Sequence, residues 1–257
     1  MSFVVPGGAY GAFMGRFSEP LAGVFAGFAG IGTAVAPGAA ALDVGCGPGA
    51  LTAVLVERLG PDGVRAVDPS PPFVAAARER FPALDVRQAR AEELPFDDGT
   101  FDAVLAQLVV HFMRDPVAGL REMLRTARPG GVVAACVWDH AGGTGPLAVF
   151  WDAVAAGDPD APDEAGLAGA REGHLTELLT AAGAADVEER LVGVEVAHAS
   201  FEAWWEPFTL GVGPAGDYVA GLDDDGRAAL RDRCQARLPG GAFTTTASAW
   251  AVRGRRR

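Results

Sequence analysis

The chain has 257 residues, of which 49% are hydrophobic, so it can bury the core of one large α/β domain or of a domain with a modest insertion. Its net charge is −12, and all 21 basic residues are arginine. The absence of lysine excludes a pyridoxal Schiff base and a phosphate-loop lysine, and the acidic balance disfavours a nucleic-acid partner. Without an apolar run of roughly 20 residues or the basic start of a signal peptide, we expect a cytoplasmic protein with no membrane partner.

Three cysteines and four histidines are scattered along the chain, and no CxxC or HxxxH pair occurs. An odd number of widely spaced cysteines indicates neither a disulfide framework nor a zinc cluster. The sequence therefore predicts that the protein binds no metal.

The first 138 residues divide into a helical segment followed by alternating strands and helices. Residues 1–39 predict an N-terminal helical cap, with Ser18 as the candidate N-cap of its helix. From residue 40, five apolar runs read as strands, and helical spacing appears at 49–60, 70–81 and 114–127. Strands that alternate with helices are typical of a parallel, doubly wound sheet.

Residues 140–257 predict the remaining strands of the same sheet. A helix, a turn and a strand lead to about residue 198, and "FTTTASAWAV" reads as the last strand. The intervening segment of about 198–240 is too long for a hairpin and predicts a cap insertion. We therefore expect an α/β, Rossmann-like, mostly parallel seven-stranded sheet, with residues 40–139 as the cofactor-binding core.

The stretch "ALDVGCGPGALT" predicts a strand that runs through a glycine-rich turn into a helix. Gly45, Gly47 and Gly49 let the backbone approach a ligand closely, while the following helix presents free N–H groups. Asp68 follows the last glycine by 19 residues, and a carboxylate there can accept both hydroxyls of a ribose. Because Ala50 completes a G-x-G-x-x-[G/A] pattern, NAD is an open alternative at this point.

Four segments in order resemble the motif series of class I S-adenosylmethionine-dependent methyltransferases: "LDVGCGPG", "VDPS", "AEELPFDDGTFDAVLAQ" and "RPGGVVA". The resemblance covers residues 40–138 and implies S-adenosyl-L-methionine as the cofactor. It implies that the glycine turn surrounds the methionine and ribose and that Asp68 binds the ribose hydroxyls. The residues it assigns to the cofactor are Asp43, Gly45, Cys46, Gly47, Gly49, Asp68, Pro69, Ala91, Glu92 and Gln107.

Arg16 is a further candidate, because a guanidinium can bind the cofactor's carboxylate through two hydrogen bonds. The alternative is that Arg16 attaches the N-terminal helix to an acidic surface. Ala91 and Glu92 are expected at the adenine edge, where the exocyclic amino group needs an acceptor, and Gln107 near the methionine.

The candidate catalytic residues are His111 and His140, which follow the fourth and fifth predicted strands. A histidine can take a proton from a phenol, an alcohol or an acidic carbon near neutral pH, although a structural role is the alternative for both. Aromatic and apolar side chains in two segments are expected to wall a substrate pocket, and core packing explains them almost as well. These are Tyr10, Phe13, Met14, Trp204 and Trp205.

The resemblance favours a methyltransferase that acts on oxygen, carbon or nitrogen of a small organic molecule. The fourth strand is followed by "AQLVVHF" instead of the Asn/Asp-Pro-Pro-aromatic motif of enzymes that methylate amide or base amino groups. An NAD(P)-dependent oxidoreductase and a non-catalytic module that binds S-adenosylmethionine are the alternatives. We expect a small-molecule methyl acceptor as the partner and a monomer or homodimer.

Overall fold

The computed structural model describes residues 11–161 and 164–257. Its centre is a seven-stranded sheet in the order β3-β2-β1-β4-β5-β7-β6. The first five strands pair in parallel, and β7 is antiparallel to both of its neighbours. The strands are β1 (Ala41–Val44), β2 (Val64–Asp68), β3 (Asp85–Gln88), β4 (Phe101–Gln107), β5 (Ala127–Trp138), β6 (Ala185–His198) and β7 (Phe243–Arg255). The predicted fold class is confirmed.

Nine α-helices accompany this sheet in the described part of the chain. They are α1 (Arg16–Phe28), α2 (Ala50–Leu59), α3 (Pro71–Arg80), α4 (Pro116–Thr126), α5 (Ala148–Ala155), α6 (His174–Ala182), α7 (Phe201–Trp205), α8 (Gly213–Gly221) and α9 (Asp224–Gln235). The three helical stretches predicted between the first strands correspond to α2, α3 and α4.

Helices cover both faces of the sheet, which explains why its central strands are apolar throughout. All four residues of β1 are buried. On one face the apolar side chains of α1 and α2 join those of the sheet, and on the other face those of α4 and α6 do so. A strand buried on both sides cannot show the apolar and polar alternation of a half-exposed strand.

The sheet contains a topological switch point between β1 and β4. From β1 the chain first adds β2 and β3 on one side and then returns to add β4 on the other. A crevice opens outside the carboxyl ends of strands at such a point, where open α/β sheets bind ligands.

The prediction that Ser18 caps the N-terminal helix is wrong. Helix α1 begins at Arg16, directly after a π-helical turn formed by Gly11–Gly15, so Ser18 lies inside the helix. Its backbone carbonyl instead accepts a hydrogen bond from the amide of Gln107, at 2.9 Å. This bond attaches α1 to the end of β4.

The segment between β6 and β7 forms an aromatic core of its own with α5 and Phe13. Phe150 and Phe208 stack with ring centroids 4.6 Å apart, and Trp204 lies 4.8 Å from Phe208. Trp204 and Trp205 are 1% and 7% exposed. Since these two side chains fill the inside of the cap, the prediction that they wall a substrate pocket is not supported.

The described residues contain neither a candidate membrane-spanning helix nor a candidate metal site. None of the helices there combines the length and the hydropathy that a membrane crossing needs. Nor do three or more His, Cys, Asp or Glu side chains meet there in a group that could hold a metal ion.

Candidate functional site

A cavity of about 460 Å³ opens at the carboxyl ends of β1, β2 and β4. It occupies the switch point, where the fold predicts a ligand. The predicted cofactor residues that line it are Asp43, Gly45, Cys46, Gly47, Asp68, Pro69 and Gln107.

The glycine turn adopts backbone angles that side chains disfavour. Gly45, Gly47 and Gly49 have φ values of 73°, 53° and 93°. A Cβ on Gly45 would lie 2.4 Å from Cγ2 of Val109, and one on Gly49 would lie 2.4 Å from Cε2 of Phe81. Nothing lies within 4 Å of a Cβ on Gly47. Two glycines therefore permit close packing within the protein, whereas Gly47 leaves space on the cavity side.

We expect Gly45→Ala to destabilise the fold by about 2–4 kcal/mol, because it combines a steric clash with a strained φ. Gly47→Ala is the matched control: its Cβ meets open space, so only the backbone strain of about 1 kcal/mol applies. Urea unfolding measures both changes. Equal losses for the two variants would contradict the clash with Val109.

Asp68 ends β2 and fixes the glycine turn. Its Oδ2 accepts a hydrogen bond from the backbone N–H of Gly47 at 2.9 Å, and its Oδ1 accepts one from Ser70 at 2.8 Å. Burial raises the pKa of Asp68 above its ordinary value, although both hydrogen bonds oppose this shift. Each carboxylate oxygen has further lone-pair capacity toward the cavity.

Two buried oxygens on the wall of this cavity have no hydrogen-bond partner among the residues that the structure describes. Oδ2 of Asp43 accepts a bond from the Thr52 hydroxyl at 2.6 Å, but its Oδ1 is unpaired. The amide nitrogen of Gln107 donates to Ser18, but its Oε1 is unpaired. Because buried acceptors are normally paired, this end of the cavity fits a ligand that carries N–H donors.

The carboxyl group of Asp43 is held near the boundary between its two protonation states. Burial, and to a lesser degree the neighbouring Asp68, raise its pKa to about 7 from 3.8, although the hydroxyl of Thr52 opposes the shift. The folded protein thus binds more protons at Asp43 than the unfolded chain between about pH 4 and pH 7. This group's contribution to stability is present below pH 4 and is lost as the pH rises through 7.

We expect Asp43→Asn to remove this dependence on pH. The native protein should lose stability relative to the variant as the pH rises. The difference between their free energies of unfolding should fall by on the order of 4 kcal/mol from pH 4 to pH 7. Urea denaturation at a series of pH values measures it. A difference that is constant over this range would show that Asp43 titrates normally.

Ala91 and Glu92 do not line the large cavity. Ala91 is buried in the apolar cluster beneath α4. Oε1 of Glu92 accepts the backbone N–H of Arg114 at 2.7 Å and so supports the chain that leads into α4. The residue of this segment on the cavity wall is Arg90. Because β3 ends at Gln88, the chain passes the cavity one residue earlier than predicted.

Arg16 has a different position from the one predicted. Its guanidinium donates to the carbonyl oxygens of Ala203 at 3.2 Å and Trp204 at 3.3 Å, and Arg16 is not part of the cavity wall. Burial lowers its pKa to about 10. Arg16 thus joins α1 to the cap, so binding of the cofactor's carboxylate by this side chain is not supported.

A second cavity of about 50 Å³ adjoins the large one. Leu108 and Phe112 line both cavities. Leu108 has a φ of 60°, which a leucine adopts only under strain, and this bend follows directly on β4. The small cavity is lined further by Phe13, Met14, His111, Trp138, His140, Leu147, Glu164, Val212, Gly213 and Pro214. Of the predicted pocket residues, Phe13 and Met14 are therefore present, and Tyr10 lies outside the described residues.

The two candidate catalytic histidines meet at the small cavity, with ring centroids 6.4 Å apart. Burial lowers the pKa of His111 to about 3, and the neighbouring His140 adds to the shift. The imidazole of His111 is therefore neutral at neutral pH, and its Nδ1 has no hydrogen-bond partner in the described part of the chain. Nδ1 of His140 lies 3.9 Å from Oε2 of Glu164, a buried carboxyl group to which Trp151 donates at 3.0 Å.

Sequence reasoning missed Trp138 and Glu164. Trp138 ends β5, and its position at the carboxyl end of a central strand was a usable signal. Glu164 comes from an irregular Pro/Asp/Gly-rich loop, which shows no periodicity that could place a side chain.

A match to a known protein family agrees with the fold described above. Residues 42–135 match the family model described as a methyltransferase domain. The resemblance to class I S-adenosylmethionine-dependent methyltransferases is thereby confirmed for this stretch, which contains β2 to β4 and most of β1 and β5.

Individual relatives are similar to less than half of the chain. Demethylmenaquinone methyltransferase of Bacillus cytotoxicus is 39% identical over 105 residues, 38% of this chain and 44% of that protein. The rice 2-methyl-6-phytyl-1,4-hydroquinone methyltransferase 2 (Oryza sativa subsp. japonica) is 36% identical over 93 residues, 35% of this chain and 27% of that protein. The matched stretch thus spans less than half of the length of these curated relatives.

Solved structures extend the similarity of fold to most of the chain. The YcgJ protein of Bacillus subtilis superposes with a TM-score of 0.55, covering 93% of this chain and 98% of that one, at 18% identity. At this identity the likeness concerns the fold alone.

Proposed function

We propose that this protein is an S-adenosylmethionine-dependent methyltransferase that acts on a small organic molecule. One observation carries the proposal: two cavities share the wall formed by Leu108 and Phe112. The larger lies at the nucleotide position of the fold, and the smaller is mainly apolar and contains two buried imidazoles. A donor in one and an acceptor in the other are brought into contact at the shared wall, as transfer of a group requires.

The residues of the large cavity fit the proposed cofactor. Asp68 would accept its ribose hydroxyls, and the unpaired oxygens of Asp43 and Gln107 would accept its ammonium group. Gly47 would leave room for the close approach of the backbone. When bound, the cofactor supplies a methyl group already activated by the positive charge of its sulfonium.

The chain's contribution to the transfer is to position the acceptor and exclude water. The apolar wall of the small cavity desolvates the reacting atom. His111, neutral because it is buried, would accept a proton from an acceptor that must lose one. His140 and Glu164 would form the polar part of the pocket and so orient the acceptor.

A small-molecule acceptor has two kinds of support. The net charge of −12 disfavours nucleic acid. In addition, the two relatives described above are named for demethylmenaquinone and for a hydroquinone. The identity of the particular acceptor would be set by the residues of the small cavity.

Calorimetric titration tests the cofactor assignment against an oxidoreductase. We expect S-adenosylmethionine and S-adenosylhomocysteine to bind with dissociation constants on the order of micromolar, and NAD and NADP to show no heat of binding. Binding of a nicotinamide nucleotide instead would overturn the proposal. If the sulfur nucleotides bind but no labelled methyl group is transferred to any of a broad acceptor panel, the protein is a non-catalytic binding module.

A further inference from the structure

Two unpaired polar groups lie on residues that line the small cavity. The indole Nε1–H of Trp138 and Nδ1 of His111 are both buried, and neither has a hydrogen-bond partner among the described residues. Trp138 is only 2% exposed, so bulk water does not satisfy its N–H group. An indole N–H can only donate, whereas the free nitrogen of a neutral imidazole can accept.

This pair of groups selects among the possible nucleophiles. A hydroxyl donates its proton to one partner and has two lone pairs, so it can accept the N–H of Trp138 with one pair and attack with the other. A neutral amine has a single lone pair, which cannot accept a hydrogen bond and attack at once. A nucleophilic carbon does not itself accept a hydrogen bond. Of these three nucleophiles, only the hydroxyl oxygen satisfies both buried groups with the atom that reacts.

We infer that the methylated atom of the acceptor is a hydroxyl oxygen, held between Nε1–H of Trp138 and Nδ1 of His111. The inference rests on the proposed function and specifies its substrate class. In the transfer, a C–O bond forms between this oxygen and the methyl carbon. The C–S bond breaks, and its electron pair stays on sulfur. The hydroxyl proton moves to Nδ1 of His111, and the products are a methyl ether and S-adenosylhomocysteine.

The buried carboxyl group of Glu164 raises the alternative of an ammonium acceptor. Its Oε2 is already bonded to the indole of Trp151 and faces His140. A cationic acceptor would also leave the N–H of Trp138 unpaired. With a volume of about 50 Å³, the small cavity would hold only the reacting end of the acceptor.

Indole N–H resonances provide a readout that does not depend on turnover. Protein labelled with ¹⁵N at its five tryptophans is saturated with S-adenosylhomocysteine and titrated with phenol or with toluene. We expect phenol to shift the Trp138 resonance, assigned by its loss in Trp138→Phe, and toluene to leave it in place. The resonance of Trp250 is the internal control, because this indole already donates to Asp139 at 2.9 Å.

Trp138→Phe should weaken phenol binding about tenfold without changing toluene binding. The fold should persist, because the indole N–H makes no hydrogen bond within the described protein. Trp250→Phe, which leaves both cavities intact, should bind phenol as the native protein does.

Several results would overturn the inference. One is a Trp138 resonance that phenol leaves unmoved or that toluene moves equally. Another is methylation of 2-aminophenol on nitrogen, or the absence of a methyl ether from every hydroxyl acceptor that binds. If S-adenosylhomocysteine binds while phenol fails, the proposed function stands and only the hydroxyl assignment falls. If the nucleotide itself does not bind, both fall.

Discussion

Asp68→Ala should weaken the binding of S-adenosylhomocysteine at least about 100-fold. The variant loses charge-assisted hydrogen bonds to the ribose hydroxyls, each contributing about 1.5–3 kcal/mol. It also frees the N–H groups of Gly47 and Ser70, which Asp68 holds in the structure. Calorimetric titration measures the change.

The matched control is an acidic residue near the other end of β2. Asp62 is an exposed acid in the turn before β2, far along the strand from the cavity. Asp62→Ala should leave nucleotide affinity unchanged, and Asp68→Asn, which keeps one acceptor oxygen, should fall between the two. Unaltered affinity in Asp68→Ala, with a normal unfolding transition, would rule out the ribose assignment.

His111→Ala should lower turnover about 100- to 10,000-fold and leave nucleotide affinity unchanged. The side chain lines the acceptor cavity and not the nucleotide cavity. His111→Gln keeps a polar group of similar length but cannot take the proton, so it should lose nearly as much. Steady-state kinetics on a methylated hydroxyl acceptor measures both variants.

The pH profile tests whether His111 stays neutral in the working range of the enzyme. Because the pKa of His111 is lowered to about 3, this residue stays neutral from pH 8 down to pH 5, and kcat/KM should show no inflection of its own near pH 6.5. The other titratable groups that line the same cavity are His140 and Glu164. His174→Ala, outside both cavities, serves as the control. Full turnover in both His111 variants would assign His111 to structure alone.

The sequence predicted the parts of the molecule that depend on local patterns. Continuous apolar runs locate β1 and β4, because a strand covered on both faces has no polar side. The glycine turn and Asp68 could be placed for a similar reason: a strand end, a turn and a helix start follow one another within a few residues. Their positions on the wall of the large cavity follow from the parallel topology.

The errors concern side chains whose direction is set by tertiary contacts. Nothing local shows that Arg16 reaches the carbonyl groups of α7, which lie 187 and 188 residues further along the chain. The segment that contains Trp204 and Trp205 is amphipathic, and this pattern is equally compatible with the wall of a substrate pocket and with an inner core. Ala91 was misplaced by one residue, because the end of a short edge strand such as β3 is poorly marked in the sequence.

For the two histidines, the structure supplied information that the sequence does not contain. Sequence placed His111 and His140 after neighbouring strands but could not show that their rings are 6.4 Å apart at one cavity. Nor could it show that the indole of Trp138 is left without a partner. Whether a buried polar group is left without a partner depends on packing. In our inference, two such groups specify the reacting atom of the acceptor more narrowly than a sequence motif does.

A crystal structure of the complex with S-adenosylhomocysteine would show directly whether the two cavities bind donor and acceptor. We expect the nucleotide in the large cavity, with its ribose hydroxyls on Asp68, its ammonium near Asp43 and Gln107, and its sulfur at the wall formed by Leu108 and Phe112. A nucleotide bound elsewhere, or one whose sulfur faces away from the small cavity, would contradict the assignment of the two cavities to donor and acceptor.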